Sequence, residues 1–219
     1  MHTTVLSARS DRRAAAALFL LAAIAIVSCQ REDLHPSSGT VTDAKYRNAY
    51  FKFSVPVPAG WHVASTETED HLRKVGSSAV VGDDPLLKAA VETAAPIQLL
   101  TATEHPVGSA VPFNSSFLIM AERVSHAPGI KTGEDYLFQL EALLERSPIP
   151  YEPLGEVTSL NLDGHTFARR DFSISALQAL RQSYIVGREG DYVLAFVFTA
   201  ADQETLDSLV ATLADSEFE

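Results

Sequence analysis

The sequence has very little cysteine, tryptophan and methionine, with one, one and two of these residues among 219. A single cysteine excludes an internal disulfide, so the fold has to rest on its hydrophobic core even in an oxidising compartment. The length is that of one ordinary domain, which is enough to bury such a core.

Basic residues are also scarce, with 17 lysines and arginines against 28 acidic residues and a formal net charge of −11. Residues 1–28 hold three of the arginines and one aspartate, so the rest of the chain carries 14 basic and 27 acidic residues, or −13. Such a surface repels nucleic acid and anionic lipid headgroups. We therefore expect no nucleic-acid partner and no basic patch that assists membrane binding.

No hydrophobic run is long enough to cross a bilayer as a helix. The longest, from Ala14 to Val27, follows Arg9, Arg12 and Arg13 and falls short of the roughly 20 residues that a spanning helix needs. A basic start followed by a short apolar run and a small residue is typical of a secretory signal peptide.

The residues that end this run indicate which class of signal peptide it is. Ile26-Val27-Ser28-Cys29 resembles the lipobox of bacterial lipoprotein signal peptides, which implies cleavage before Cys29 and attachment of fatty acids such as palmitate to it. Several acyl chains anchor a protein stably, whereas one chain binds reversibly. Gln30 stands where an aspartate would imply inner-membrane retention, so the resemblance implies an outer-membrane lipoprotein facing the periplasm. The alternative is an ordinary buried cysteine.

These patterns divide the chain into three parts. Residues 1–28 are the predicted signal peptide, and residues 29–45 are a lipidated cysteine with a flexible tether that is polar and contains Pro, Gly and Ser. A coil of this length spans about 22 Å on average. Residues 46–219 are the predicted folded domain.

Local signals predict an α+β fold for that domain, an α/β/α sandwich with a mainly antiparallel sheet. Tyr192 through Phe198 is apolar at every position, which indicates a strand buried on both faces with helices on both sides of the sheet. Caps, turns and periodicity predict the other elements. An aromatic strand is predicted through Tyr50, Phe51, Phe53 and Val55 and ends at Pro56, and a type I turn over Val57–Gly60 leads to a return strand from Trp61. A short helix is predicted near 66–76, and further helices begin after Asp84, after Thr132, which resembles a capping box with Asp135, and after Asp202. Hairpins are predicted at Asp163-Gly164 and at Arg188–Asp191.

Both ends of the predicted domain resemble one known group. "YRNAYFKFSVPVPAGW" and "GREGDYVLAFVFTAADQETLDSLVATLADSEF" are similar to the PsbP-like superfamily, which includes the extrinsic protein of photosystem II, a Ran-binding nuclear import factor and many bacterial lipoproteins. The resemblance implies the same α/β/α sandwich, and it brings no catalytic residue with it.

Three groups of residues are candidate sites. The carboxylates of residues 67–71 lie beside His71 and would suit a divalent cation, or they form the solvated start of a helix. His165 and Arg169 share a strand face and would point at a ligand with Asp171, or they lie on an exposed sheet face with a cross-strand ion pair. Trp61 is a binding platform or a core anchor.

The sequence contains none of the common catalytic signatures, such as Gly-x-Ser-x-Gly, His-Glu-x-x-His or a phosphate-binding loop. We expect no catalytic residue, no metal ligand and no cofactor. The leading hypothesis is a lipid-anchored envelope protein with a noncatalytic module that binds a protein or assists an assembly. The alternatives are a small-ligand or metal-binding carrier or sensor in the periplasm, and a hydrolase whose residues meet only in three dimensions.

The lipobox makes a direct prediction about the native protein. Mass spectrometry is expected to show a chain that begins at Cys29 and carries acyl chains on its sulfur and amino group. Cys29→Ser should abolish both the cleavage and the acylation. An uncleaved leader or an unmodified thiol in the native protein would contradict the envelope address.

Overall fold

The computed structural model describes residues 34–175 and 179–219. The predicted signal peptide and Cys29 lie outside the described residues. In chain order the elements are β1 (Gly39–Thr42), β2 (Lys45–Asn48), β3 (Phe53–Pro56), β4 (His62–Val63), α1 (Thr66–Val81), α2 (Pro85–Ala94), β5 (Ile97–Thr103), β6 (Ser116–Arg123), α3 (Gly133–Leu144), β7 (Tyr151–Leu162), β8 (His165–Ser175), β9 (Ala179–Glu189), β10 (Tyr192–Ala200), α4 (Gln203–Ala211), a 3-10 helix (Thr212–Asp215) and β11 (Glu217–Phe218).

The strands form two antiparallel sheets. The large sheet has the order β4-β5-β6-β10-β9-β8-β7 and the small sheet has the order β1-β2-β3-β11. Leu162 pairs with His165 and Glu189 pairs with Tyr192, so both predicted hairpins are confirmed. The α+β class and the mainly antiparallel sheet follow from the sequence as expected.

Strand β10 is buried on both faces, as its unbroken apolar sequence predicts. One face packs against the small sheet and α4 through Leu194, Phe196 and Phe198. The other face packs against Leu137 of α3 through Val193, Ala195 and Val197. With α3 on one side and α4 on the other, the α/β/α sandwich is confirmed.

Local signals fix the start of α3. The Thr132 side chain accepts a hydrogen bond from the backbone N–H of Asp135, and the Asp135 carboxylate accepts one from the backbone N–H of Thr132, which completes the predicted capping box. A side chain at Gly133 would clash with the carbonyl oxygen of Val186. Glycine is therefore required where the helix meets the backbone of β9.

The second half of the predicted tether is not a free coil. Residues Gly39–Thr42 form β1 and pair with β2, and the Asn48 side chain donates a hydrogen bond of 2.8 Å to the carbonyl of Pro36. The tether prediction was wrong here because a short polar segment gains order by pairing with a strand whose own sequence is strongly patterned.

The turn after β3 also differs from the prediction. The backbone N–H of Trp61 donates to the carbonyl of Pro58 at 3.1 Å, and Gly60 has φ of 78°. Glycine thus occupies the third position of the turn, as in type II, and not the fourth. The residues that follow do not return along β3, because β4 pairs with β5 in the large sheet.

Helices α1 and α2 lie between β4 and β5. Helix α1 has 16 residues, longer than the short helix expected, and it is capped by Ser65; Val81 is its buried residue. Helix α2 is confirmed with Asp84 as its cap, Pro85 as its first residue and Leu87 buried.

No helix among residues 34–175 and 179–219 has the length and apolar character that crossing a membrane requires.

The β1–β2 turn generates a stability prediction. Asp43 and Ala44 have φ of 52° and 56°, the signs of a type I′ turn, which favours glycine. Ala44→Gly is expected to raise the free energy of unfolding by up to about 1 kcal/mol, because it removes a left-handed Cβ. Denaturant titration measures the change. Ala49→Gly, at an exposed position without a positive φ, is the control and should be neutral or slightly destabilising; a loss of stability in Ala44→Gly would contradict the assignment.

Candidate functional site

A cleft of about 530 Å³ opens where the β2–β3 turn, the β9–β10 turn and Glu219 meet. Its wall consists of three aromatic rings in edge-to-face contact. The centroid of Tyr50 lies 4.8 Å from that of Phe51 and 5.9 Å from that of Tyr192, and Phe51 lies 5.2 Å from Tyr192. The lining residues, here called the aromatic cleft, are Tyr50, Phe51, Lys52, Arg123, Glu189, Gly190, Asp191, Tyr192 and Glu219.

Asn48 holds the aromatic turn in place. Its side-chain oxygen accepts hydrogen bonds from the backbone N–H groups of Tyr50 and Phe51, at 3.0 and 3.1 Å. Its amide nitrogen donates to the Pro36 carbonyl and to the Tyr46 hydroxyl. Because Asn48 is only 1 % exposed, these bonds are shielded from water and present Tyr50, which is 38 % exposed, at the surface.

Lys52 follows the aromatic pair in an unusual conformation. Its φ is 55°, a left-handed value that costs a residue with a side chain about 1 kcal/mol relative to glycine. The Lys52 carbonyl accepts a hydrogen bond of 2.9 Å from the backbone N–H of Glu219. This strained residue lies at the rim of the cleft, and backbone outliers of this kind cluster at functional sites.

The charges around the aromatic cleft are mixed. Arg123 and Asp191 are more than 60 % exposed and their charged atoms lie 4.0 Å apart, so the pair is weak. Hydrogen bonding to Tyr50 raises the pKa of Tyr192, with a smaller contribution from burial. Tyr192 is therefore a neutral hydrogen-bonding group at physiological pH.

A second groove of about 320 Å³ adjoins the first through Lys52 and Glu219. Glu217 closes it, accepting hydrogen bonds from Lys45 at 2.9 Å and from Ser54 at 2.8 Å. The bond from Lys45 is the main reason that the pKa of Glu217 is lowered. The basic side chain of Lys45 is thus engaged with Glu217 within the small sheet, whereas Lys52 reaches the cleft.

Arg169 and Asp171, singled out from the sequence, form an ion-pair cluster beneath α4. The Arg169 guanidinium donates two hydrogen bonds to Asp171, at 2.8 and 2.6 Å, and one of 2.6 Å to Asp207 of α4. Burial acts to lower the pKa of Arg169, but the bonds to Asp171 and Asp207 outweigh it and raise that pKa. Arg169 therefore links α4 to the sheet. It forms ion pairs, but with a residue of its own strand and with α4, so for Arg169 the expected cross-strand pair on an exposed sheet face was wrong.

His165 does not join that cluster. Its Nδ1 lies 2.8 Å from the carboxylate of Glu189, and its ring stacks on Phe218 with centroids 4.9 Å apart. The His165 ring thus packs β11 against β8. The three residues share a strand face as predicted, but the structure does not bring them together around one ligand.

The acidic stretch at residues 67–71 lies in the first turns of α1. Burial is the main cause of a raised pKa for Glu69, while Glu67, Asp70 and His71 are exposed. In the part of the chain that the structure describes, no three His, Cys, Asp or Glu side chains are placed to hold one metal ion. The arrangement here is that of a helix start.

Trp61 is half-buried and packs against the main hydrophobic cluster, as a core anchor does.

Sequence reasoning missed the aromatic cleft, because it assigned Tyr50 and Phe51 to the strand itself. The signal that could have found it is Asn48 two residues before Tyr50, since asparagine side chains accept bonds from the backbone two residues on and form turns.

Comparisons with known proteins support the fold. No protein-family model matches the chain, and no curated protein matches it. The chain is similar to the solution structure of cyanobacterial PsbP (CyanoP) from Synechocystis sp. PCC 6803, with a TM-score of 0.50, 12 % identity, and coverage of 84 % of this chain and 98 % of that one. The PsbP-like fold expected from the sequence is thereby confirmed, and at this identity the likeness concerns the fold alone.

Two further solved structures align less well. The Ran-binding protein Mog1p of Saccharomyces cerevisiae has a TM-score of 0.39 and 12 % identity, over 80 % of this chain and 85 % of its own. A Pseudomonas aeruginosa protein of unknown function, described as a putative regulator, has a TM-score of 0.39 and 14 % identity, over 55 % of this chain and 78 % of its own. Scores at this level carry no argument about the present chain.

The Arg169 cluster generates a prediction about stability and pH. Arg169→Met leaves the half-buried Asp171 with only the hydrogen bond from Gln203 and should lower the free energy of unfolding by about 1–3 kcal/mol at pH 7. The Arg169 bond is the main reason that the pKa of Asp207 is lowered. A lowered folded-state pKa contributes stability above about pH 4 that is lost as the pH falls through the folded value.

The difference between wild type and Arg169→Met should therefore shrink as the pH falls from about 5 to about 2. Denaturant titrations across this range measure it. Arg123→Met, which removes an exposed arginine, is the control and should change stability by less than about 0.5 kcal/mol. A difference that does not change with pH would contradict the role assigned to the pair.

Proposed function

We propose that the chain is a noncatalytic protein-binding module, held at a bacterial envelope membrane by fatty acids on Cys29, and that its partner binds in the aromatic cleft. The observation that carries the proposal is the exposed Tyr50, fixed by the buried Asn48 beside Phe51 and Tyr192.

The composition of the cleft suits a protein interface. Tyrosine and arginine are enriched at interfaces and among the residues that contribute most to binding energy. Tyrosine offers a large contact area with only two side-chain torsions to fix. Tyr50 and Tyr192 provide such contacts, and Arg123 stands at the rim with its side chain 65 % exposed.

The shape of the cleft favours a protein over a small molecule. Small-molecule sites enclose most of the ligand surface in a largely apolar cavity. The aromatic cleft is instead open along one side and bordered by the charged side chains of Lys52, Arg123 and Asp191. A protruding segment of a partner would contact the rings and leave its own flanks at the charged rim.

The chemistry of the cleft supports a noncatalytic role. Its lining residues include no serine, cysteine or histidine, so the Ser–His and Cys–His pairs of common hydrolases are lacking among the described residues there. A contact between a serine and a histidine does occur elsewhere, between Ser37 and His35 at 2.7 Å. That pair is exposed in a turn.

The proposed cellular location of the protein is based on its sequence. The lipobox at residues 26–29 and Gln30 support an outer-membrane lipoprotein facing the periplasm. The acidic chain would not adhere to anionic lipid by itself, so the attached fatty acids would provide the membrane affinity.

The test is site-specific photo-crosslinking in living bacteria. A photoreactive amino acid at Tyr50 should give a discrete crosslinked species with another protein. The same amino acid at Phe138, which is 77 % exposed on α3, is the matched control and should not give that species. Equal crosslinking from the two positions, or none from Tyr50, would contradict binding in the aromatic cleft.

Lys52 offers a substitution that separates binding from folding. Lys52→Gly removes the side chain from the cleft and also relieves the left-handed strain, so the melting temperature should stay level or rise. The yield of the Tyr50 crosslink should fall. Ala44→Gly relieves the same kind of strain outside the cleft and should leave the crosslink unchanged. Undiminished crosslinking in Lys52→Gly would exclude the lysine from the partner contact.

A further inference from the structure

The edge strands β7 and β1 are protected from pairing with other chains in different ways. Strand β7, the edge of the large sheet, carries exposed Glu152, Pro153 and Glu156 and an irregular register around Gly155, whose φ is 65°. Charges, prolines and bulges of this kind prevent pairing with other chains. Strand β1, the edge of the small sheet, has the sequence Gly-Thr-Val-Thr and an unbroken register with β2. It carries no charge, proline or bulge, and its short length of four residues is its only protection of this kind.

The hairpin geometry shows which groups of β1 face outward. Thr42 pairs with Lys45 across a two-residue turn, and the residues that flank such a turn bond to each other. Because the direction alternates along a strand, the backbone N–H and C=O of Val41 point away from β2. Among the described residues no strand pairs with that side of β1. Val41 is also 38 % exposed.

We propose that β1 pairs antiparallel with β1 of a second copy of this chain, about a two-fold axis at Val41. In this register Val41 faces Val41 of the second copy, and Thr40 faces Thr42 in both directions. Pairs of β-branched residues and pairs of threonines are favourable across antiparallel strands. The two small sheets then form one continuous sheet of eight strands with an isologous interface.

The sequence of β1 favours a second copy over an unrelated strand. Thr40-Val41-Thr42 is symmetric about its centre and uncharged, so the segment is complementary to itself. Stable interfaces bury about 1,000 Å² or more, and a four-residue strand falls short of that, so the dimer is weak and forms at high local concentration. The copies also repel each other, because each carries a formal charge of −11.

This repulsion gives the dimer a distinctive response to salt. Repulsion between like-charged surfaces is screened as the ionic strength rises, so the dimer fraction should increase with salt. A complex with a basic partner strand would weaken under the same change. Sedimentation of the full-length chain in detergent at low and at physiological salt distinguishes the two.

Cysteine crosslinking of the full-length chain tests the register. Val41→Cys should give several-fold more disulfide-linked dimer than the parent chain, which reports the background from Cys29. Thr40→Cys alone should stay near that background, because Thr40 and its copy are diagonal and beyond disulfide reach. Thr40→Cys mixed with Thr42→Cys should form the crosslink again. Val107→Cys, at a position that is 46 % exposed, controls for random collision.

Val41→Lys completes the test, because it places two positive charges opposite each other at the two-fold axis. It should abolish the salt-dependent dimer and leave the melting temperature nearly unchanged, since Val41 lies at the exposed edge. Crosslinking from Val41→Cys that does not exceed Thr40→Cys and Val107→Cys would overturn the proposal. So would a monomer at every concentration and salt, or a dimer that Val41→Lys does not affect.

Discussion

The burial of β10 on both faces is the constraint on which the rest of the structure depends. Its residues alternate between a face that meets α3 and a face that meets α4 and the small sheet. Stacked rings mark the second face, where Phe117 and Phe198 lie with centroids 4.3 Å apart. A strand buried in this way contributes apolar area to the packing on both faces of the large sheet. Its backbone therefore fixes the position of α3 on one face relative to α4 and the small sheet on the other.

The small sheet closes the second layer and creates the aromatic cleft. Phe218 of β11 stacks on Phe53 of β3 at 5.7 Å, and its backbone N–H donates to the carboxylate of Asp163 at 2.9 Å. The hairpin turn between β7 and β8 therefore holds the C-terminal strand in place. As a result, three segments distant in sequence meet at one rim, and the cleft is supported by the packed layers beneath it.

Partly buried charges link helices to the sheet, whereas the exposed aromatic side chain of Tyr50 lines the aromatic cleft. Arg169 joins Asp171 to Asp207 of α4, while Arg170 on the opposite face lies 2.6 Å from Glu141 of α3. Each arginine links a helix to the sheet, which is how half-buried charges avoid the free-energy cost of lying unpaired. At Tyr50, by contrast, Asn48 holds the backbone and the side chain stands at the surface. The residues that link the helices to the sheet are thus distinct from the exposed residues of the aromatic cleft.

The sequence by itself determined the elements whose signals are local. The capping box of Thr132 and Asp135, the cap at Asp84, the turn at Asp163-Gly164 and the two-sided strand β10 all depend on residues a few positions apart, and all were predicted. The PsbP-like fold was likewise expected from the residues at both ends of the domain.

Only the tertiary structure decided the pairings between distant segments. The Ser54 side chain donates a hydrogen bond to Glu217, which lies 163 residues away in the sequence. No residue near β3 in the chain therefore predicts that β11 is its neighbour. The strand formed by Gly39–Thr42 has too few residues to show a periodicity. The sequence leaves open whether Arg169 faces a ligand or an ion-pair partner, and only the fold brings Asp207 of α4 to it. Caps, turns and periodicity depend on residues that are close in the sequence and can be predicted from it. A site assembled from separate elements forms only when the apolar core packs those elements together.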